Sequence, residues 1–150
     1  MPHETSVRAI GRLWRGMVPH GTRVMAAHGV PLVYWQLMSG LAYDGLRSQV
    51  ALSKRALLDP ARTSRILGEL ETLGLVRRAR AREDRRRVTL SLTPAGRRWY
   101  ARARREVMKD LAPLFSRLSP KELRTLETLL LKLSPAPTGY SSYSSAGPGP

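Results

Sequence analysis

Between residues 59 and 120, three positions place a residue that can cap a helix directly before a proline. They are Asp59 before Pro60, Thr93 before Pro94 and Ser119 before Pro120. A short polar N-cap side chain accepts a hydrogen bond from the first helical turn, and proline suits the first helical position because its missing N–H needs no partner there. We therefore predict that helices begin at these three points, which makes the second half of the chain mainly helical.

Only one segment of the chain has the alternation typical of a β-strand. Residues 88–92 alternate apolar and polar side chains, and Leu75 with Val76 begins an earlier strand directly after Gly74. Glycine at that point is a fitting end for the preceding helix. The sequence thus predicts one β-hairpin, with an arginine-rich loop, between two helices.

The first half of the chain also has helical periodicity. Apolar residues three or four apart predict a helix over 7–27, with a break near Pro19. Pro31 can open a second helix, and Ser48 can cap a short third helix. This order of elements predicts a mainly α fold with a small β-hairpin wing.

The predicted organisation is a winged helix-turn-helix domain flanked by terminal helices. The domain spans 7–133, with the winged helix-turn-helix core at about 31–93 and flanking helices at about 7–27 and 94–133. Residues 1–6 are predicted to be disordered. Residues 134–150, rich in proline, glycine and serine, are predicted to be a disordered tail.

Positive charge is concentrated in one part of the chain. Lys and Arg number 26 against 11 Asp and Glu, a formal net charge of +15, and ten of those net charges lie between residues 77 and 105. A concentrated basic face is typical of proteins that bind a phosphate backbone. An ordinary solvated surface is the alternative, but the clustering favours nucleic acid.

Several classes of protein find no support in the sequence. The chain has no cysteine, which excludes disulfides, thiolate catalysis and thiol-based sensing. It lacks a nucleophile-base motif, a glycine-rich phosphate loop and paired carboxylates, so we predict neither an enzyme nor a cofactor. Its three histidines lack the short spacing of a zinc site.

The sequence also indicates where the protein works. No apolar run approaches the roughly 18 residues that a membrane-spanning helix needs, and the N-terminal segment has no signal-peptide core. We expect a cytoplasmic, nucleoid-associated protein of a bacterium or archaeon.

The helix that begins at Pro60 has two distinct faces. Ile66, Leu70 and Leu73 fall on one side and are predicted to pack inward. The opposite side is small or polar with arginine, which lets the helix approach a DNA major groove closely. The predicted groove-facing residues are Ala61, Arg62, Ser64 and Arg65, with Gly68 beside them. Taken alone, this face also suits an ordinary solvated helix.

The hairpin loop strengthens the case for DNA. Asp84 is spaced to brace Arg86, and a narrow minor groove attracts an inserted arginine because its negative potential is high. Like charges this dense repel unless they are solvated or meet an anion. Further phosphate contacts are predicted from Arg80, Arg82, Arg85 and Arg87.

Residues 48–96 resemble the core of MarR-type transcriptional regulators. The resemblance rests on LETLGLVRR at 70–78, EDRR at 83–86 and LTPAG at 92–96, and the order of helices extends it to about 7–133. It implies a homodimer, built from the terminal helices, that binds a pseudo-palindromic operator. One departure is the turn at 56–58, which lacks the glycine common there and leaves its geometry open.

The resemblance also implies roles for individual residues. By position, Asp84 and Arg86 match the wing pair, and Ala61, Arg62, Ser64 and Arg65 match the groove-facing positions. Ser48 and Gln49 match the backbone-contacting start of the preceding helix.

A dimer and a small effector complete the expected regulator. The segment LETLLLKL at 126–133 holds more leucine than one packed layer needs, which favours a dimer interface. The resemblance implies a repressor released by a small aromatic acid or phenol. The candidate ligand-binding residues are Trp14, Arg15, His20, His28, Tyr34 and Tyr43, although packing alone can explain each of them, and Trp35 is predicted to be core.

A second function fits the same charge pattern. A sequence-tolerant architectural protein, binding DNA or RNA without an effector, would also be strongly basic. The two hypotheses differ in whether the protein prefers an inverted repeat over random DNA.

Overall fold

The structure, a computed structural model, describes residues 3–80 and 88–134. Within these residues there are six helices and one two-stranded antiparallel sheet, which confirms the mainly α fold with a single hairpin. The elements are α1 Glu4–Ala27, α2 Leu32–Ala42, α3 Gln49–Ala56, α4 Pro60–Thr72, β1 Val76–Arg80, β2 Val88–Leu92, α5 Pro94–Phe115 and α6 Pro120–Leu133. None of the described helices is long and apolar enough to cross a membrane.

The predicted caps open their helices. Asp59 accepts a hydrogen bond from the backbone N–H of Arg62 at 2.8 Å, and Thr93 caps α5 in the same way. Ser119 forms a reciprocal capping box with Glu122 at the start of α6. The Glu122 carboxylate accepts both the hydroxyl and the backbone N–H of Ser119, and these hydrogen bonds lower its pKa.

The predicted break near Pro19 is wrong, because α1 is continuous through it. Proline removes one backbone hydrogen bond, but the helix beyond it is held by packing. Val24 and Met25 are buried against Ala103 and Val107 of α5. Tertiary burial supplies most of a helix's stability and here outweighs the local defect.

The main core surrounds α2, and its buried residues come from every element of the predicted DNA-binding unit. Leu73, predicted to face inward, is instead 54% exposed. The helix ends at Thr72 and Leu73 is its C-cap, beyond the part of α4 that packs into the core. The buried core side chains are Tyr34, Leu37, Met38, Leu41, Leu52, Ile66, Leu67, Leu70, Val76, Leu90, Leu92 and Tyr100.

The base of the hairpin is locked to the start of α5. Val76 pairs with Leu92 and Arg80 with Val88 in the antiparallel register. Gly96 approaches the strand so closely that a Cβ there would lie 1.9 Å from the carbonyl oxygen of Leu75. Glycine at this position therefore sets how the hairpin projects from the helical body.

Candidate nucleic-acid interface

A buried polar pair fixes α3 against α4. The Ser53 hydroxyl donates to the Thr63 hydroxyl at 3.0 Å, and Thr63 donates in turn to the backbone carbonyl of Asp59 at 2.9 Å. Both side chains are buried, so the two hydrogen bonds satisfy groups that would otherwise be costly to bury. The side chain of Gln49 adds a further link by donating to the carbonyl of Pro60 at 3.2 Å.

The turn between these helices has an unusual residue at its centre. Leu57 adopts a left-handed conformation with φ of 53°, and within the described residues no other residue except glycine has a positive φ. Its side chain is 92% exposed. The helix-turn-helix therefore forms without a glycine in its turn. Leu57 takes the left-handed conformation instead, which is unfavourable for leucine.

The exposed face of α4 contains the predicted groove-facing arginines. Ala61, Arg62 and Arg65 are exposed, while Ser64 is partly buried. Within the described residues, neither guanidinium group makes a hydrogen bond or ion pair. Ser48 is exposed and caps α3 by accepting the N–H of Ala51 at 3.2 Å.

Tyr34 holds α4 at one edge of its exposed face. Its phenolic O–H donates to a carboxylate oxygen of Glu69 at 2.6 Å. Burial, followed by the hydrogen bond to Glu69, raises the pKa of Tyr34 to about 12. The contact joins α2 to the edge of the exposed face of α4, one helical turn from Arg65.

The hairpin presents arginine along β1. Arg77 donates to the hydroxyl of Ser91 at 3.0 Å, and Arg78 donates to Glu71 at 2.8 Å. Arg80 is exposed at the end of the strand. The other predicted wing residues, Arg82, Asp84, Arg85, Arg86 and Arg87, lie outside the described residues, so the bracing of Arg86 by Asp84 stays a prediction.

One contact that holds the hairpin could not be predicted from any local sequence pattern. The backbone N–H of Leu90 donates to the carbonyl of Arg47 at 2.8 Å, and the Arg47 side chain donates to the carbonyl of Leu41 at 2.8 Å. These bonds join β2 to the loop before α3. The hairpin and the helix-turn-helix are therefore positioned as one unit.

A largely apolar cavity of about 380 Å³ lies where α1, α2 and α5 meet the end of α3. Cavities of this size hold small organic ligands. Trp35, predicted to be core, stacks on Tyr100 at a centroid distance of 4.9 Å and also lines the cavity. The lining residues are Trp14, Met17, Val18, Gly21, Leu32, Trp35, Gln36, Ser39, Arg55, Ala56, Leu57, Val107, Met108 and Leu111.

Among the six candidate ligand residues, the structure places only Trp14 in this cavity. Trp14 is 58% exposed. Arg15 lines a separate open groove on α1 with Arg8 and Arg12. Tyr34 is bonded to Glu69, and Tyr43 is exposed at the end of α2.

The two candidate histidines tie α1 to α5. His20 Nδ1 lies 2.8 Å from Asp110 Oδ2, which also accepts a hydrogen bond from Arg23 at 2.8 Å. The bond from Arg23, then that from His20, lowers the pKa of Asp110.

His28 makes the equivalent link further along the helices. Its Nε2 lies 2.7 Å from Glu106 Oε2, and its ring meets the edge of Trp99. Across the described residues, no group of three or more potential ligands is arranged to hold a metal ion.

Arg55 is the charged residue that lines the cavity, and the sequence did not indicate its place there. It donates to a carboxylate oxygen of Asp44 and, at 2.9 Å, to the carbonyl of Gln36. In the sequence, Arg55 is simply a basic residue in the last turn of α3, and basic residues are common at helix C-termini. Its position beside the cavity depends on tertiary packing.

The same fold is found in solved regulators. The structure matches wild-type MarR from E. coli with a TM-score of 0.72 and 24% identity, covering 85% of this chain and 95% of that one. It matches NadR in complex with 4-hydroxyphenylacetate with a TM-score of 0.71 and 25% identity, covering 83% of this chain and 89% of the other.

Sequence comparisons lead to the same family. An uncharacterised HTH-type transcriptional regulator, YdgJ of Bacillus subtilis, is 28% identical over 113 residues, which is 75% of this chain and 69% of the relative. Across its curated relatives, the chain spans between 44% and 69% of their own length.

A family model described as MarR family matches residues 28–87, which contain α2, α3, α4 and β1. Members of that family are DNA-binding regulators and not enzymes. With its winged helix-turn-helix fold, the chain belongs to the MarR family of transcriptional regulators.

Proposed function

We propose that this protein is a dimeric repressor that binds a pseudo-palindromic operator and is released by a small aromatic acid or phenol. One observation carries the DNA-binding part of the proposal. The exposed arginines of α4 make no hydrogen bond or ion pair within the described residues, while the same helix is held by Thr63 on its buried side and by Glu69 at the edge of its exposed face. A fixed scaffold with free guanidinium groups suits groove recognition.

The proposed DNA contacts divide between base reading and backbone positioning. Ala61, Arg62, Ser64 and Arg65 of α4 enter the major groove. Ser48 and Gln49 present the start of α3 to a phosphate. The wing contacts the minor groove and neighbouring phosphates through Arg80, Arg82, Arg85, Arg86 and Arg87, with Asp84 bracing Arg86.

The proposed dimer interface involves α6. In the described chain this amphipathic helix has no buried residue, and its leucines at 129, 130, 131 and 133 are each at least 37% exposed. An apolar groove of about 380 Å³ lies between α6 and Phe115 at the end of α5. A second copy would bury this surface, and its two recognition helices would then lie about 34 Å apart, one turn of DNA.

The cavity is the proposed effector site. Trp14 and Trp35 offer aromatic surfaces, and Arg55, which is paired with Asp44, would have to share its guanidinium with the carboxylate of a bound acid. NadR, a similar structure, is known in complex with 4-hydroxyphenylacetate. Because Ala56 and Leu57 also line the cavity, a ligand there would contact the turn that leads into α4. Arg15, His20, His28, Tyr34 and Tyr43 do not line it, so we assign them no part in this proposal.

The DNA-binding proposal is tested by mapping the genomic sites that the protein occupies. We expect an inverted repeat, bound in vitro about a thousandfold more tightly than random duplex at moderate salt. The architectural alternative predicts similar affinities for both. Salt dependence does not separate the two hypotheses, since both depend on phosphate contacts. A regulator of this kind would act on chromosomal DNA in the cytoplasm.

A further inference from the structure

The hairpin does not contain all of the concentrated positive charge. Of the twelve arginines between 77 and 105, five lie on α5. Three of these and one lysine are spaced four, three and four residues apart: Arg98, Arg102, Arg105 and Lys109. That spacing places them on one face of the helix, along about 16 Å of its length. We call these four residues the basic stripe.

The basic stripe faces away from the protein core. Tyr100, Ala103 and Val107 are buried on the opposite side of α5, while all four stripe residues are exposed. Within the described residues, none of the four side chains makes a hydrogen bond or ion pair. Their charge is therefore not balanced by the chain itself.

The acidic residues of α5 are turned away from the stripe. Glu106 lies against His28 of α1, and Asp110 lies against His20 and Arg23. These contacts direct both carboxylates toward α1. The outer face of α5 is left with cations three and four residues apart, which repel one another unless an anion lies beside them.

The stripe is separate from the operator-reading face. Leu67 and Leu70 of α4 and Tyr100 of α5 pack into the same core around α2. The exposed faces of α4 and α5 are each directed away from that core. Dimerisation would not cover the stripe by placing it against the stripe of the second protomer, because that contact would bring eight positive charges together.

We propose that the basic stripe is a second, sequence-independent surface for duplex DNA, which binds a phosphate backbone outside the operator contact. Arginine suits this role because one guanidinium can donate two parallel hydrogen bonds to two oxygens of the same phosphate. The phosphates can come from the flanks of the operator or from a second duplex. This surface does not require α4 to recognise a sequence.

The test replaces the stripe cations and measures affinity for random-sequence duplex. The variant is Arg98→Gln, Arg102→Gln and Arg105→Gln in the full chain, since glutamine keeps helix propensity. We expect the slope of log affinity against log salt to flatten by up to about 2.7, because each of the three lost phosphate contacts removes about 0.9. Affinity at 0.1 M salt should fall by about tenfold or more.

A matched control removes the same charge elsewhere. Arg12→Gln, Arg117→Gln and Lys121→Gln replace three exposed cations outside the stripe, and we expect less than a threefold loss of affinity. Equal losses in the two triple variants, or no loss in the stripe variant, would overturn the proposal. Circular dichroism and melting temperature confirm that both variants are folded.

Two further arms identify the source of the phosphates and separate this proposal from the operator hypothesis. If a longer duplex binds wild type more tightly but not the stripe variant, the phosphates come from DNA that flanks the operator. If wild type captures a second labelled duplex and the stripe variant does not, the stripe bridges two duplexes. The absence of both effects contradicts a second surface. Arg62→Ala with Arg65→Ala should abolish operator preference but keep the stripe-dependent salt slope, so that failure of one proposal does not imply failure of the other.

Discussion

The phenolic O–H of Tyr34 donates a 2.6 Å hydrogen bond to the carboxylate of Glu69, which joins α2 to the recognition helix α4. Glu69 lies one turn along α4 from Arg65, at the edge of the exposed arginine face. The orientation of that face therefore depends on a contact between residues 35 positions apart in sequence.

Tyr34→Phe should destabilise the protein by about 1–2 kcal/mol. It removes a hydrogen bond to a charged acceptor, while Glu69 is only partly buried and regains some solvation. Urea unfolding measures the change. An unaltered midpoint would show that the bond contributes nothing to stability.

Alkaline pH should weaken the same contact. The pKa of Tyr34 in the folded protein is about 12, above its ordinary value of 10. The stabilisation is fully present below pH 10 and is lost as the pH rises toward about 12. Wild type should therefore lose stability faster than Tyr34→Phe in this window, and parallel pH profiles would refute the assignment.

Gly96→Ala should destabilise the fold by about 3 kcal/mol or more, because its Cβ would overlap the carbonyl of Leu75 and force the backbone apart. Gly68→Ala is the matched control. No atom lies within 4 Å of a Cβ at position 68, so alanine should stabilise α4 by about 0.5–1 kcal/mol. Thermal unfolding of both variants tests the contrast, and similar losses in both would contradict it.

Leu57→Gly should stabilise the protein by up to about 1 kcal/mol. Glycine relieves the left-handed backbone conformation, and the exposed leucine side chain gives up little burial. The greater flexibility of glycine in the unfolded chain offsets part of the gain. A clear loss of stability in chemical denaturation would mean that the Leu57 side chain makes a contact important for the fold.

Trp14→Ala should weaken effector binding about tenfold while leaving the fold intact, because Trp14 lines the cavity but is more than half exposed. Binding is measured with a panel of hydroxylated aromatic acids, through the change that each compound causes in melting temperature and in operator affinity. Tyr43→Phe, outside the cavity, is the control. If no compound in the panel changes either quantity in wild type, the effector proposal fails.

Local sequence rules predicted the helix starts and the hairpin. Asp59, Thr93 and Ser119 act through backbone groups within three residues of themselves, so their roles can be identified without knowledge of the fold. The apolar and polar alternation of β2 is similarly local. The arginine face of α4 followed from the helical repeat alone.

Tertiary contacts account for what the sequence did not reveal. Pro19 was expected to break α1, but packing against α5, far along the chain, keeps the helix continuous. His28 and Glu106 meet across 78 residues, and no spacing rule indicates such a pair. The cavity likewise combines residues of four helices, so Arg55 could not be placed beside Trp14 in advance.

We expect the two recognition helices of the dimer to bind half-sites one DNA turn apart. The most direct measurement is the affinity of the protein for its mapped operator when five base pairs are inserted between the half-sites. We predict a loss of about a hundredfold or more, because the insertion rotates one half-site to the opposite side of the duplex. Equal affinity for the original and the lengthened operator would contradict paired recognition.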